Sequence, residues 1–395
     1  MQELMFLGLF VLALGIGWFL GRREAIKVGF MVQPHGSALD RQYFIGLNYL
    51  LNEQPDEAIE TFIRALEVNP ETVETHIAIG KLFCQRGDVE RAIKVHQNLL
   101  ARPNLSRHQA DNVQLELARD YLAVGMHNRS ERLLEELVEN GSPLRAEALV
   151  DLVKVYEREH EWSQATVVGE KLVRERAEFA VTLAHYYCEM ALEPIRQQEV
   201  SQARKYLQNA LRADSGCIRA YLLLTELEQS QGKHREAANY LQRLAVTDSD
   251  MVPEALSLAR SGADNGVLNL GEYLDAAIDR GPPMIDTVLA RADDMRPTAS
   301  ISDVSRFVLQ HIQSQPSLRG LMYLIDLHLD HVDAKGKENL LILRGVVEAL
   351  VREKHRYRCT SCGFLAKRLH WQCPTCHGWS TIRPLKGHET AKQHH

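Results

Sequence analysis

The sequence predicts a mainly α fold, in which an array of helical hairpins follows one apolar N-terminal helix and ends in a small ribbon held by cysteines. Three observations carry this expectation. Apolar residues recur at helical spacing over most of the 395 residues, small and aromatic residues repeat at a fixed longer interval, and two Cys-x2-Cys pairs stand close together near the C-terminus. The composition, 45 % hydrophobic and 25 % charged, is that of folded protein. A formal net charge of -6 lacks the basic excess of a dedicated nucleic-acid binder, so no nucleic-acid partner is expected.

The apolar helix is expected from residues 4–20, LMFLGLFVLALGIGWFL, which carry no charge and no proline. At about 1.5 Å per residue this run reaches roughly 26 Å, enough to cross the hydrocarbon core. A cleaved signal peptide is the competing reading. It would want a basic flank before the apolar run and a small-x-small site after it; the chain begins Met1-Gln2-Glu3 and shows no such site. Arg22, Arg23 and Lys27 follow the run, so the body should face the cytoplasm and the N-terminus the periplasm. Residues 1–21 are therefore expected to anchor the chain and 22–38 to link the anchor to the array.

The array is expected over residues 39–350. Gly46 and Gly80, Tyr49 and Phe83, and Ala58 and Ala92 are each 34 residues apart. A unit of this length with small residues near its eighth, twentieth and twenty-seventh positions and an aromatic at its eleventh resembles the tetratricopeptide repeat. The physical reason is close packing of two antiparallel helices: Gly46 and Ala58 let the backbones approach, Tyr49 and Phe62 fill the seam, and Pro70 ends the second helix. Further copies centre on Ala118 and Tyr121, on Tyr156 and Ala165, on Ala203 and Ala210, and on Ala237 and Leu241, making six in all. Turns are expected at Gly87-Asp88, Gly125-Met126, Glu161-Trp162 and Gly232-Lys233. After about residue 251 the pattern blurs, with Gly262, Gly266, Gly271, Gly281, Pro282 and Pro283 read as interruptions of degenerate hairpins.

The ribbon is expected over residues 355–387, with 388–395 as a tail. Cys359, Cys362, Cys373 and Cys376 form two knuckles separated by ten residues, a spacing suited to tetrahedral binding of one structural zinc ion. Four thiolates leave no open position for substrate. The same four sulfurs also suit the redox-active iron of rubredoxin, the alternative. Gly363 and Gly378 are expected to supply the tight knuckle turns, and Tyr357, Phe364, Trp371 and Trp379 a small core. Cys84, Cys188 and Cys217 read as core residues of helices, and an odd cysteine total argues against a disulfide framework. Asp326, His328, Asp330, His331 and Asp333 look metal-like by composition, but only residues three or four apart share a helix face. No phosphate loop or nucleophile elbow supports an enzyme class, so no catalytic residue is assigned.

The anchor ending in Gly21-Arg22-Arg23, the repeats, the segment RGDVERAIKVHQNLL and the final YRCxxCGF...WxCPxCxxWSTIxP module together resemble the lipopolysaccharide assembly protein B family of Gram-negative bacteria. That resemblance implies a tetratricopeptide superhelix with a rubredoxin-like zinc ribbon in an inner-membrane regulator. It further implies an adaptor that helps the membrane-anchored AAA+ protease FtsH degrade the deacetylase committing precursor to lipid A, among other lipopolysaccharide assembly proteins. A scaffold coupling synthesis and transport enzymes is the alternative it leaves open. The resemblance places the ribbon against the repeats.

Overall fold

The computed structural model describes residues 73–386 except Asp330, together with Ile45, Asn48, Tyr49, Glu57, Ala58 and Thr61. The expected anchor, linker and tail lie outside the described residues, as do Gly46, Phe62 and Pro70. Among the described residues no helix is long and apolar enough to cross a membrane.

Helices follow one another in antiparallel pairs. They are α1 (Val73–Gln85) with α2 (Val89–Leu100), α3 (Arg107–Ala123) with α4 (His127–Glu139), α5 (Arg145–Glu159) with α6 (Trp162–Val173), α7 (Ala180–Arg196) with α8 (Val200–Ala213), and α9 (Ile218–Ser230) with α10 (His234–Thr247). Past residue 251 the pairs continue as α11 (Val252–Asp264) with α12 (Leu270–Ile278), α13 (Ile285–Met295) with α14 (Ile301–Ser314), and α15 (Leu318–His328) with α16 (Ala334–Glu353). The chain divides into two compact units, residues 1–151 and 152–395.

The expected turns recur for one backbone reason. Gly87, Gly125, Gly232 and Gly266 each adopt positive φ, between 68° and 85°, just after the first helix of a pair. At Gly87 the reversal is locked by Asp88 N–H donating to Phe83 O at 2.8 Å and Gly87 N–H to Cys84 O at 3.0 Å, the paired bonds that close a helix C-terminus. His160 and Gln198 hold the same left-handed position, at φ 57° and 60°, in the glycine-free turns of the α5–α6 and α7–α8 pairs.

Gly262 and Gly271, expected to break helices, instead lie inside α11 and α12. A Cβ on Gly262 would stand 3.4 Å from Leu268 Cβ, an ordinary contact, so this buried glycine continues the helix and makes no turn. The later helices start on polar caps: Asn269, Ser300, Ser317 and Asp333 each accept a backbone N–H of the first helical turn. Blurred spacing here reflects changed cap and connection lengths, while the alternation of paired helices persists.

In the unit 1–151, Ala58 is fully buried with Ile79 and Leu82, and Tyr49 packs against this group, as the repeat pattern requires. Gly80 has a specific partner that spacing alone does not reveal. The His96 ring lies where a Gly80 side chain would be, with Nε2 only 2.3 Å from the Cβ position. His96 is fully buried and its Nδ1 lies 2.5 Å from Asp120 Oδ2 on the next hairpin. One glycine thus admits a side chain that joins two repeats. Gly80→Ala should displace the imidazole and destabilise this unit by about 1–3 kcal/mol. Urea denaturation followed by circular dichroism would measure it, and an unchanged midpoint would count against a ring seated on Gly80.

Candidate metal centre

After α16 the chain forms a three-stranded antiparallel sheet of β1 (Tyr357–Cys359), β2 (Leu365–Ala366) and β3 (Ile382–Pro384), ordered β2-β1-β3. Tyr357 pairs with Ala366 on one side and Pro384 on the other. The two knuckles repeat one hydrogen-bond pattern. Cys359 N–H donates to Phe364 O at 2.8 Å and Cys373 N–H to Gly378 O at 2.9 Å; Gly363 N–H returns to Cys359 O at 3.0 Å and His377 N–H to Cys373 O at 2.9 Å. The equivalent left-handed residues are Gly363 at φ 79° and His377 at φ 57°.

The second knuckle therefore turns on His377 and not on Gly378 as expected. Gly378 is needed for space: a Cβ there would meet Thr381 Cγ2 at 2.8 Å and Cys376 Sγ at 3.5 Å.

These turns bring all four expected cysteines together. Their sulfurs lie within 4.8 Å of one another, with Cys359 Sγ and Cys376 Sγ 3.7 Å apart and Cys362 Sγ and Cys373 Sγ 3.6 Å apart. A tetrahedral ion with metal–sulfur bonds of about 2.3 Å requires edges of roughly 3.8 Å, so the donor set fits one such ion. The separations far exceed the roughly 2.05 Å of a disulfide. Cys359 and Cys373 are buried, whereas Cys362 and Cys376 reach the surface. The arrangement can hold a metal and organise a fold.

Trp371 and Trp379 do not fill the ribbon interior as expected. That interior consists of Tyr357, Cys359, Ala366, Cys373 and Ile382, with Phe364 and Leu369 against it. The tryptophans turn outward onto the helices of the unit 152–395. Trp379 stacks on His185 at 4.9 Å between ring centroids, meets Trp162 and Tyr186 edge-on, and donates Nε1–H to Glu157 Oε1 at 2.6 Å. Trp371 packs against the cluster formed by Tyr221, Leu241, Val252 and Leu274. A ribbon too small to bury two indoles places them in the array's core.

Polar contacts frame this aromatic seam. Tyr357 donates its hydroxyl to Glu254, Arg356 reaches Asp286 at 2.8 Å, Arg383 reaches Asp248 at 2.5 Å, and Lys386 reaches Asp250 at 2.6 Å. Partly exposed pairs of this kind contribute little each, so they set the orientation while aromatic burial supplies most of the energy. Nothing in the local sequence marks Glu157, Asp248, Asp250, Glu254 or Asp286 as partners of the ribbon. The one available signal is charge, because residues 354–386 contain seven Lys or Arg and no acid.

His185 is the buried polar centre of this contact. Its Nε2 shares a 2.6 Å hydrogen bond with Ser380 Oγ, and its Nδ1 has no partner. Burial, aided by the nearby Arg219 charge, lowers its pKa to about 3, so the imidazole is neutral when folded. An unfolded histidine titrates near 6.5, so below that pH the unfolded state binds a proton that the folded state refuses. Stability is thus full above about pH 6.5 and falls towards pH 3. Wild-type protein should lose about 1 kcal/mol more than His185→Gln between about pH 7.5 and 5.5. Comparing the two chains cancels protonation of the cysteines; parallel curves would defeat the prediction.

The remaining metal-like residues disperse. His328 Nε2 lies 2.9 Å from Ser305 Oγ, Asp326 pairs with Arg344 at 2.6 Å, and Asp333 caps α16. Cys188 and Cys217 are buried in helix packing and Cys84 is half-buried, whereas Asp330 lies outside the described residues. In the unit 1–151, a groove of about 680 Å³ lined by Leu100, Tyr121, Arg129, Leu133 and Glu136 offers a mixed polar and apolar surface.

Comparison with known proteins agrees with both parts of this architecture. The family model described as rubredoxin metal binding domain matches residues 357–384, and the tetratricopeptide repeat model matches residues 45–103 and 188–255. The chain is 33 % identical to lipopolysaccharide assembly protein B of Escherichia coli strain K12, over 98 % of this chain and 99 % of that relative. It is 32 % identical to lipopolysaccharide assembly protein B of Haemophilus influenzae strain Rd, over 98 % of this chain and all of that relative. Identity of this degree along nearly the whole of each sequence makes the chain a member of the lipopolysaccharide assembly protein B family.

Proposed function

We propose that this protein is a membrane-tethered, non-enzymatic adaptor that controls lipopolysaccharide synthesis by presenting the lipid A-committing deacetylase to an FtsH-type protease. The observation that carries the reading is the end-to-end relationship to proteins named for lipopolysaccharide assembly. A helical-repeat array supports it, because stacked hairpins offer broad surfaces for protein segments. Residues 4–20 form the inner-membrane anchor in this proposal, with the bulk of the chain on the cytoplasmic side. Cys359, Cys362, Cys373 and Cys376 bind one structural zinc. Their closed four-sulfur shell keeps the ribbon folded and its tryptophans seated on the array.

The test is the half-life of the deacetylase in cells depleted of this protein, complemented by the full chain or by one starting at Arg22. Longer half-life on depletion, reversed only by the anchored chain, is the expected result. An unchanged half-life together with co-purification of synthesis and transport enzymes would favour a scaffold. Metal analysis of protein from its native host separates a colourless zinc protein from an iron redox centre.

A further inference from the structure

The last helix of the array is anomalous for its position. A terminal repeat has no successor to cover it and ordinarily shows a polar outer face. On α16, however, Leu341, Ile342, Leu343, Val346 and Leu350 are between 44 % and 64 % exposed. Ile342, Val346 and Leu350 fall on successive turns of one face, with Leu343 beside Leu350. The opposite face is already used: Val347 is buried and Arg344 reaches Asp326 on α15 at 2.6 Å.

Charge says what would cover this stripe. Of the seven Lys or Arg in the acid-free run 354–386, Arg356, Arg383 and Lys386 pair with array carboxylates. Lys354, Arg358, Lys367 and Arg368 pair with none of the carboxylates whose side chains the structure describes. Lys367 donates to the carbonyl of Arg352 at 3.4 Å, fixing the end of β2 beside the last turn of α16. The apolar stripe thus ends beside Lys354, Lys367 and Arg368, a combination of exposed apolar side chains and basic groups that suits an anionic lipid surface.

We propose that the outer face of α16, with Lys354, Lys367 and Arg368 at its C-terminal end, docks on the surface of an anionic phospholipid bilayer. The proposal rests on the tethered reading above. Tethering makes docking intramolecular, so a patch of a few side chains suffices where a free protein would need a larger one.

The full chain, reconstituted in nanodiscs of phosphatidylcholine with or without phosphatidylglycerol, carries photoreactive p-benzoyl-phenylalanine in place of Val346. Lipid adducts are expected in the anionic discs, and few in neutral discs or with the probe in place of Val246, another exposed valine. Lys367→Ala and Arg368→Ala should each lower the docked-to-free ratio about five-fold. Adducts to a second copy of the chain, or none from a chain seated in anionic discs, would overturn the proposal. If the chain does not enter discs, the tether reading fails by itself. Docking is then read with the same probe and added phosphatidylglycerol vesicles, where absence of adducts overturns it.

Discussion

Removing metal from this protein with a chelator is expected to unfold residues 357–384 while leaving most helices intact. The ribbon's own core is Tyr357, Ala366 and Ile382 around two of the cysteines, with Phe364 and Leu369 at its edge. So small a cluster cannot offset the ordering of about thirty residues. Metal binding in such modules supplies on the order of 10 kcal/mol or more, so the folded ribbon is in effect a metal complex. Circular dichroism should change little, because helices dominate the signal. Tryptophan emission should shift to the red as Trp371 and Trp379 leave the array, and Cys373→Ser with Cys376→Ser should reproduce the shift. A ribbon that kept its protection from protease without metal would refute this account.

Trp379→Ala should detach the ribbon without emptying the metal site. Trp379 is only 9 % exposed, touches His185, Trp162 and Tyr186, and donates a hydrogen bond to Glu157. Truncating a buried tryptophan costs about 3–5 kcal/mol, and Glu157 would lose the indole N–H while keeping the Tyr186 hydroxyl. Trp379→Phe keeps a ring against His185 but loses the N–H, which should cost about 1–3 kcal/mol. Hydrogen exchange should rise in α7 around His185, which Trp379 covers, with one metal ion per chain and the pairing of β1 with β3 retained. Equal loss of metal would mean that docking and coordination are inseparable.

Much of this architecture is legible in the sequence. Helix pairing came through because small and aromatic residues at 34-residue spacing are a local packing requirement, as Ala58 beside Ile79 and Leu82 illustrates. The sulfur cluster was equally legible, since two residues between paired cysteines is a constraint of the knuckle turn itself. Residue type alone is a poorer guide. Gly262 and Gly271 look like breakers in sequence although each lies inside a helix, and the turn expected at Gly378 is made by His377. Glycine is required for space as well as for φ, and spacing does not say which.

By itself, then, the sequence determined the repeat, the hairpin turns on Gly87, Gly125 and Gly232, and the pairing of Cys359, Cys362, Cys373 and Cys376 into two knuckles, because each depends on neighbours within a few residues or one period. Only the tertiary structure decided that Trp371 and Trp379 leave the ribbon, that His185 is buried against Ser380, and that Glu157, Glu254, Asp248, Asp250 and Asp286 face the ribbon. Those contacts join residues separated by about 70 to 220 positions. No periodicity spans such distances, and only the path of the folded chain brings an acid-free basic segment onto carboxylates that otherwise look like ordinary helix surface.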